Sequence, residues 1–169
     1  MNQLEKFVTG TANGLAVAGL TILLALAVCT LFDGLLRALA NYPLDFVREI
    51  GDLIAAICAA CTLPIVLLHK NNITLRIFEN ILSKAGARLF DAFAEILMAI
   101  VMIAMAWQFY LFSQKTALAN DVTWMMNVPK APFWYAVDVI LWIAVLVQLF
   151  VTAQTLAGTP ARRDSETPV

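Results

Sequence analysis

The chain has 169 residues, 62% of them hydrophobic and 14% charged, with a mean hydropathy of +0.82 and a net charge of −1. An average soluble domain is about 45–50% apolar and about 25% charged, so the composition excludes a soluble enzyme, a disordered chain and a nucleic-acid-binding module. Segments 7–32, 53–68, 96–114 and 139–161 carry no charge, and the 11 basic and 12 acidic residues crowd into the remainder at ordinary density.

A bilayer core of about 30 Å takes about 20 apolar residues as a helix. Backbone groups in lipid must bond internally, which leaves helices or closed barrels. The charge-free runs lack the period-2 alternation of barrel strands, so the expected fold is all-α: a polytopic membrane protein with four transmembrane helices, at about 7–36, 44–69, 89–112 and 133–156. The first run exceeds the apolar core of a signal peptide, about 7–15 residues, and is expected to be an uncleaved anchor that tilts or projects beyond the lipid. Gly10 and Gly14 within it have the spacing of a close helix contact.

The second span contains Pro64 and opens on Arg48, Glu49 and Asp52. Arg48 and Asp52 are four apart, so they share a helix face and can pair. Cys58 and Cys61 have redox-motif spacing, but apolar burial disfavours the thiolate that reacts. They are expected to be small residues at a helix contact. Past this span, Ile73, Ile77, Phe78, Ile81 and Leu82 repeat at helical spacing opposite Arg76, Glu79 and Lys84. Two readings stand: a short amphipathic interfacial helix between spans two and three, resting on membrane lipid, or a turn packed on its own bundle.

In the next connector Pro129 and Pro132 end irregular structure before the last span, since Pro is tolerated at a helix start. Trp124 and Trp134 suit an aromatic belt at the water boundary. Trp124, Met125 and Met126 equally suit a docking patch, because such side chains adapt to protein contacts. Residues 1–158 form one membrane domain, and 159–169 a polar tail. Lys6, Lys70, Arg76, Lys84, Arg88, Arg162 and Arg163 outweigh Arg37, Arg48, Lys115 and Lys130 on the other side, which puts both termini in the cytoplasm.

Catalytic chemistry is not indicated. The one histidine, His69, cannot form a bis-histidine haem site or a metal cluster by itself. No catalytic residue, cofactor or metal is assigned. The charges near the helix ends are Asp33 and Arg37, then Arg48, Glu49 and Asp52, then Asp91 and Glu95, and finally Asp138 in the fourth span. Charges in lipid must pair, snorkel or face protein or water. None sits at a helix centre, where a transport site is expected, so pairing within the chain or with a partner is favoured over an ion pathway.

The order of these features resembles a known family, the small DctQ-like membrane subunit of tripartite ATP-independent periplasmic (TRAP) transporters. The resemblance covers about residues 10–155. It rests on Phe32-Asp-Gly-Leu-Leu-Arg37, on Pro43-Leu-Asp-Phe-Val-Arg-Glu49, on Leu67-Leu-His-Lys-Asn-Asn-Ile-Thr-Leu75, and on the amphipathic connector and proline loop. Arg37, Glu49 and Ile73 match the family's pattern. Asn72 stands where members often have a histidine, and the acidic residue that usually follows is missing near Leu75 and Arg76. The resemblance implies a scaffold in the bacterial inner membrane. Its partners would be a large membrane subunit that carries the substrate and sodium sites, and a periplasmic substrate-binding protein that delivers an organic acid. No substrate-binding residue is expected on this chain. Asp33, Arg37, Arg48, Glu49, Asp52 and Asp138 become candidates for intersubunit or intrachain pairing, and Trp124, Met125 and Met126 for periplasmic docking. Competing classes are a self-contained four-helix transporter or channel, the membrane anchor of a redox complex, and the small subunit of a different tripartite carrier.

Overall fold

Charge-free residues 7–32, 53–68, 96–114 and 139–156 lie within four helices in a computed structural model, which describes residues 3–42, 44–68 and 84–156. These are α1 (Gln3–Ala40), α2 (Asp45–Leu68), α3 (Lys84–Leu118) and α4 (Ala131–Leu156). Each is long and apolar enough to cross a membrane. The proposed interfacial helix, with His69 and Ile73, lies outside the described residues, as does the tail.

Two helices outrun their apolar cores. At 1.5 Å per residue, α1 with 38 residues and α3 with 35 are about 57 and about 52 Å long, against a hydrocarbon core of about 30 Å. The absence of charge marks where lipid is crossed, not where hydrogen bonding stops. Ser113, Gln114, Lys115 and Thr116 continue α3 because nothing in them breaks a helix. It stops at Asn120, which adopts a left-handed φ of 48°, while the Asp121 N–H donates to the Thr116 carbonyl at 3.2 Å. Asn tolerates that conformation better than most residues, and the bond closes a helix end. α1 is likewise followed by Asn41 at φ 51°. α4 is preceded by Lys130, whose carbonyl accepts from Phe133 N–H at 3.1 Å, and Pro132 falls in the first turn, where its missing N–H has no partner to lose.

The packing order differs from the chain order. α1 packs on α2, α2 on α4, and α4 on α3, so α2 and α4 are inner helices and α1 and α3 outer ones. Burial agrees: 39% and 50% of the apolar windows of α2 and α4 are enclosed, against 11% and 22% for α1 and α3. Ala60, Cys61, Leu67, Met102, Ala106, Leu141, Ala144 and Val145 form the shared core.

The α1–α2 seam is close because small residues line it. Ala12, Ala16 and Gly19 are buried, at a spacing of four and three that keeps one helix face. A Cβ added at Gly19 would stand 2.6 Å from Cys61 Cβ and 3.2 Å from the Cys58 carbonyl oxygen. The close contact is therefore at Gly19, whereas Gly10 and Gly14 have nothing within 4 Å of that position. Cys58 and Cys61 are both buried free thiols, packed as small residues at this contact.

Candidate functional site

Polar groups in hydrocarbon have no water to bond, so leaving one without a partner is costly. The hydroxyls turn back on their own helices: Thr21 donates to the Val17 carbonyl, Thr30 to Leu26, and Ser113 to Phe109, at 2.8, 2.8 and 3.0 Å. Carboxylates can only accept, and their partners define the two ends of the bundle.

At the end where the α1–α2 turn meets the α3–α4 connection, Asp33 is buried and ties two elements together. Its Oδ1 accepts from Leu44 N–H at 2.6 Å, at the head of α2, and its Oδ2 pairs with Arg37 one turn on at 3.1 Å. Asp33 thus closes the turn and satisfies a backbone donor that α2 would otherwise leave open. Arg37 is 45% exposed at its side chain and adds a contact on the water side.

Glu49 lies on α2, just inside the same end. Its two carboxylate oxygens accept from the backbone N–H groups of Met125 and Met126, at 2.5 and 2.9 Å. Those amides belong to a tight hairpin. Thr123 N–H donates to the Val128 carbonyl at 2.9 Å, and Val128 N–H returns to Thr123 Oγ1 at 3.1 Å. Lys130 N–H meets the Asp121 carbonyl at 3.0 Å, and the Lys130 ammonium pairs with the Asp121 carboxylate at 3.2 Å. Asn127 supplies the left-handed residue, φ 52°, that the reversal needs. The connector expected to be irregular is therefore ordered. Buried Thr123 anchors its base, and Trp124 stands 95% exposed at its tip, beside exposed Met125 and Met126. An open groove of about 430 Å³ follows its flank, lined by Asn120, Asp121, Thr123, Trp124 and Asn127.

Two groups of residues singled out in the sequence are thus one unit, since Glu49 holds the backbone that carries Trp124. Arg48 and Asp52 are not joined to it. Both are exposed, and among the described residues they form no ion pair with each other, contrary to the expectation from their spacing. A pair at that solvent-facing position would gain little over hydration. Trp134 belongs to the packing of α3 on α4, edge-on to Phe112 at 5.0 Å and tilted on Phe109 at 6.3 Å.

Toward the other end, Gln148 and Thr152 of α4 meet Glu95 of α3. The Gln148 amide donates to Glu95 Oε2 at 2.7 Å, and the Thr152 hydroxyl is 2.9 Å from the Gln148 carbonyl. All three side chains are buried. A search for charge picks out Glu95 but passes over neutral Gln148 and Thr152, which sit inside a charge-free run. The usable signal is a Gln inside residues 139–151, a run whose other members are all apolar. Asp138 of α4 is 5% exposed, and its Oδ1 is enclosed without a hydrogen-bond partner. The pairing expected for it within the chain is absent among the described residues. Nor do three His, Cys, Asp or Glu side chains gather there in a metal-binding group.

Among the described residues, no cluster of three His, Cys, Asp or Glu side chains gathers to hold a metal ion. The carboxylates Asp33, Glu49 and Glu95 brace the chain's own elements. Residues 26–158 match the family described as tripartite ATP-independent periplasmic transporters, DctQ component. The chain belongs to this family. No match was found among curated proteins or among solved structures. The DctQ family is one of transporter components and not of enzymes, and its membership together with four apolar helices makes this a multi-pass protein of the bacterial inner membrane. The match covers α2, α3, α4 and the C-terminal part of α1 from residue 26, and so includes Asp33, Glu49 and the Trp124 hairpin.

Proposed function

We propose that this DctQ component is the fixed scaffold of a TRAP transporter. It holds a larger membrane subunit that carries the substrate and sodium sites. A periplasmic binding protein delivers an organic acid, a dicarboxylate or sugar acid, and docks beside the Trp124 hairpin. Both termini face the cytoplasm by the placement of Lys and Arg, which turns that hairpin to the periplasm.

The observation that carries this reading is the contrast between inner and outer helices. On α1 the side chains of Val17, Leu20, Leu24, Val28, Leu31 and Leu35 are exposed, at steps of three and four. That spacing makes one apolar stripe along nearly the whole crossing. On α3, Phe93, Leu97, Ile100 and Trp107 do the same. A chain that moved substrate by itself would place polar groups toward an internal path. Here Asp33, Glu49 and Glu95 serve the chain's own seams, and the unpacked faces of α1 and α3 are mainly apolar.

The test is reconstitution. Proteoliposomes holding the chain with its large subunit, supplied with binding protein and a sodium gradient, are expected to accumulate the organic acid. Those holding the chain alone are expected to accumulate none. Substrate-specific uptake by the isolated chain would refute the scaffold reading.

A further inference from the structure

We propose that Glu49 is a positioning residue for docking: from α2 it holds the tip of the Trp124 hairpin in its binding shape before the substrate-binding protein arrives. The proposal rests on the reading that the binding protein docks at that hairpin, and it adds how the surface is prepared.

The hairpin closes its own base through Thr123 with Val128 and Asp121 with Lys130. Its tip is held from outside. The N–H groups of Met125 and Met126 go to the two oxygens of Glu49, which is 76 and 77 residues away in the chain. Successive residues of an extended strand face opposite ways, so two consecutive N–H groups meet one carboxylate only where the backbone curls around it. Glu49 therefore selects a curled tip, and Asn127 at φ 52° completes the reversal. With the amides engaged by α2, the side chains are left outside: Trp124 is 95% exposed, Met125 65% and Met126 47%. Glu49 stands behind this surface and acts through those three side chains.

The chemistry of the tip fits a protein rather than a lipid surface. Trp and Met together make an adaptable apolar contact of the kind that dominates protein interfaces. A segment resting on anionic head groups carries Lys or Arg around its apolar residues. The groove along this hairpin is lined by Asn120, Asp121, Thr123 and Asn127 beside Trp124, and no basic residue lines it.

A loop ordered only on binding charges its ordering cost to the affinity, and a loop ordered beforehand does not. Fixing the backbone of one residue is worth about five- to 30-fold in an equilibrium constant. Glu49→Gln has the right size to probe this. Its single amide oxygen still accepts one N–H, but its NH2 group cannot accept the other.

The test uses this chain with its large subunit in proteoliposomes under a sodium gradient, with uptake followed against the concentration of purified binding protein. Glu49→Gln is expected to raise the half-saturating concentration about five- to 30-fold while maximal uptake is retained. Trp124→Ala is expected to raise it as well, and the double variant to fall short of the product of the two effects, because both act through one surface. A rise for only one of the two variants, effects that multiply, or a loss confined to maximal uptake overturns the positioning role and leaves the docking reading to stand or fall on Trp124→Ala. No rise for either variant overturns the docking reading itself. If Glu49→Gln does not assemble, amide hydrogen exchange in the wild-type complex decides. The Met125 and Met126 amides are expected to be protected before binding protein is added, and protection that appears only after its addition overturns the proposal.

Discussion

Substituting alanine at Gly19 and at Gly14 separates a true helix contact from a spacing that only looks like one. Both changes replace Gly inside α1, so both gain about 1 kcal/mol of helix propensity, and their difference isolates the contact. At Gly14 the new methyl meets nothing within 4 Å. At Gly19 it meets Cys61 Cβ at 2.6 Å and the Cys58 carbonyl oxygen at 3.2 Å. Optimal carbon–carbon separation is about 3.5–4.0 Å, so α1 must move away from α2 by about 1 Å. Overpacking of this kind costs about 1–3 kcal/mol, which is about a five- to 150-fold difference in the folding equilibrium between the two variants. The assay is detergent-induced unfolding of the purified chain followed by circular dichroism, with maleimide labelling of Cys58 and Cys61 as a local reporter. Gly19→Ala should unfold at lower detergent fraction and label faster, and Gly14→Ala should match or exceed the wild type. Adding Cys61→Gly to Gly19→Ala removes the 2.6 Å clash and should recover part of the loss, so the two changes couple. Equal behaviour of the two alanine variants, or no recovery in the double variant, refutes the assigned seam.

Asp33→Ala should destabilise the chain by about 1–3 kcal/mol in the same unfolding assay, because it strands the Leu44 N–H, whereas Arg37→Ala should cost no more than about 1 kcal/mol as the loss of a half-exposed pair. Equal costs would show that the ion pair, not the backbone bond, carries the turn. Glu49→Ala should free the hairpin while leaving the four helices formed, seen as faster chymotryptic cleavage beside Trp124 with unchanged helical content. Unchanged cleavage would mean that the hairpin's own bonds suffice. Gln148→Leu should cost about 1–2 kcal/mol by removing a hydrogen bond between membrane helices. Glu95→Gln should cost less, because an amide oxygen can still accept from Gln148, and the reverse order would contradict the donor assignment.

The architecture was legible in the sequence because lipid imposes a one-dimensional rule. A charge-free run of sufficient length must cross, and it must do so as a helix. The same rule could not locate the ends of α1 and α3, since helix continues through polar residues once outside lipid. Nor could it find the contact face. Gly10 and Gly14 catch the eye as a pair, while Ala12, Ala16 and Gly19 make the seam, and only the rotation of α1 against α2 decides between them. The role of Glu49 was hidden for a different reason. Its partners are backbone amides at Met125 and Met126, which every residue except proline possesses, so no side-chain pattern announces them. The connector's proline content suggested irregular chain, but Asn120 and Asn127 at left-handed φ, with Thr123 bonding both ways, are what fold it into a hairpin. Asp138 was visible as a charge within a span. That its Oδ1 is buried without a hydrogen-bond partner among the described residues follows from how the helices pack, which no single helix sequence states.

Helix order explains why the polar groups lie where they do. α2 and α4 run side by side at the centre, and neither has a turn connecting it directly to the other. Glu49 and the hairpin amides bridge that gap at one end, from the start of α2 to the segment leading into α4. The outer helices are joined to the inner ones by Asp33 on the α1 side and by Glu95 with Gln148 on the α3 side. Each carboxylate therefore secures a seam that apolar packing alone would leave free to slide, since lipid solvates apolar side chains as well as a neighbouring helix does. The row of helices is fixed by directional bonds and the outward faces are left without them. A partner in the membrane plane would then meet α1 or α3 through the fit of Leu, Val and Phe side chains, with exposed charge toward the helix ends, as at Arg37 of α1 and Lys115 of α3.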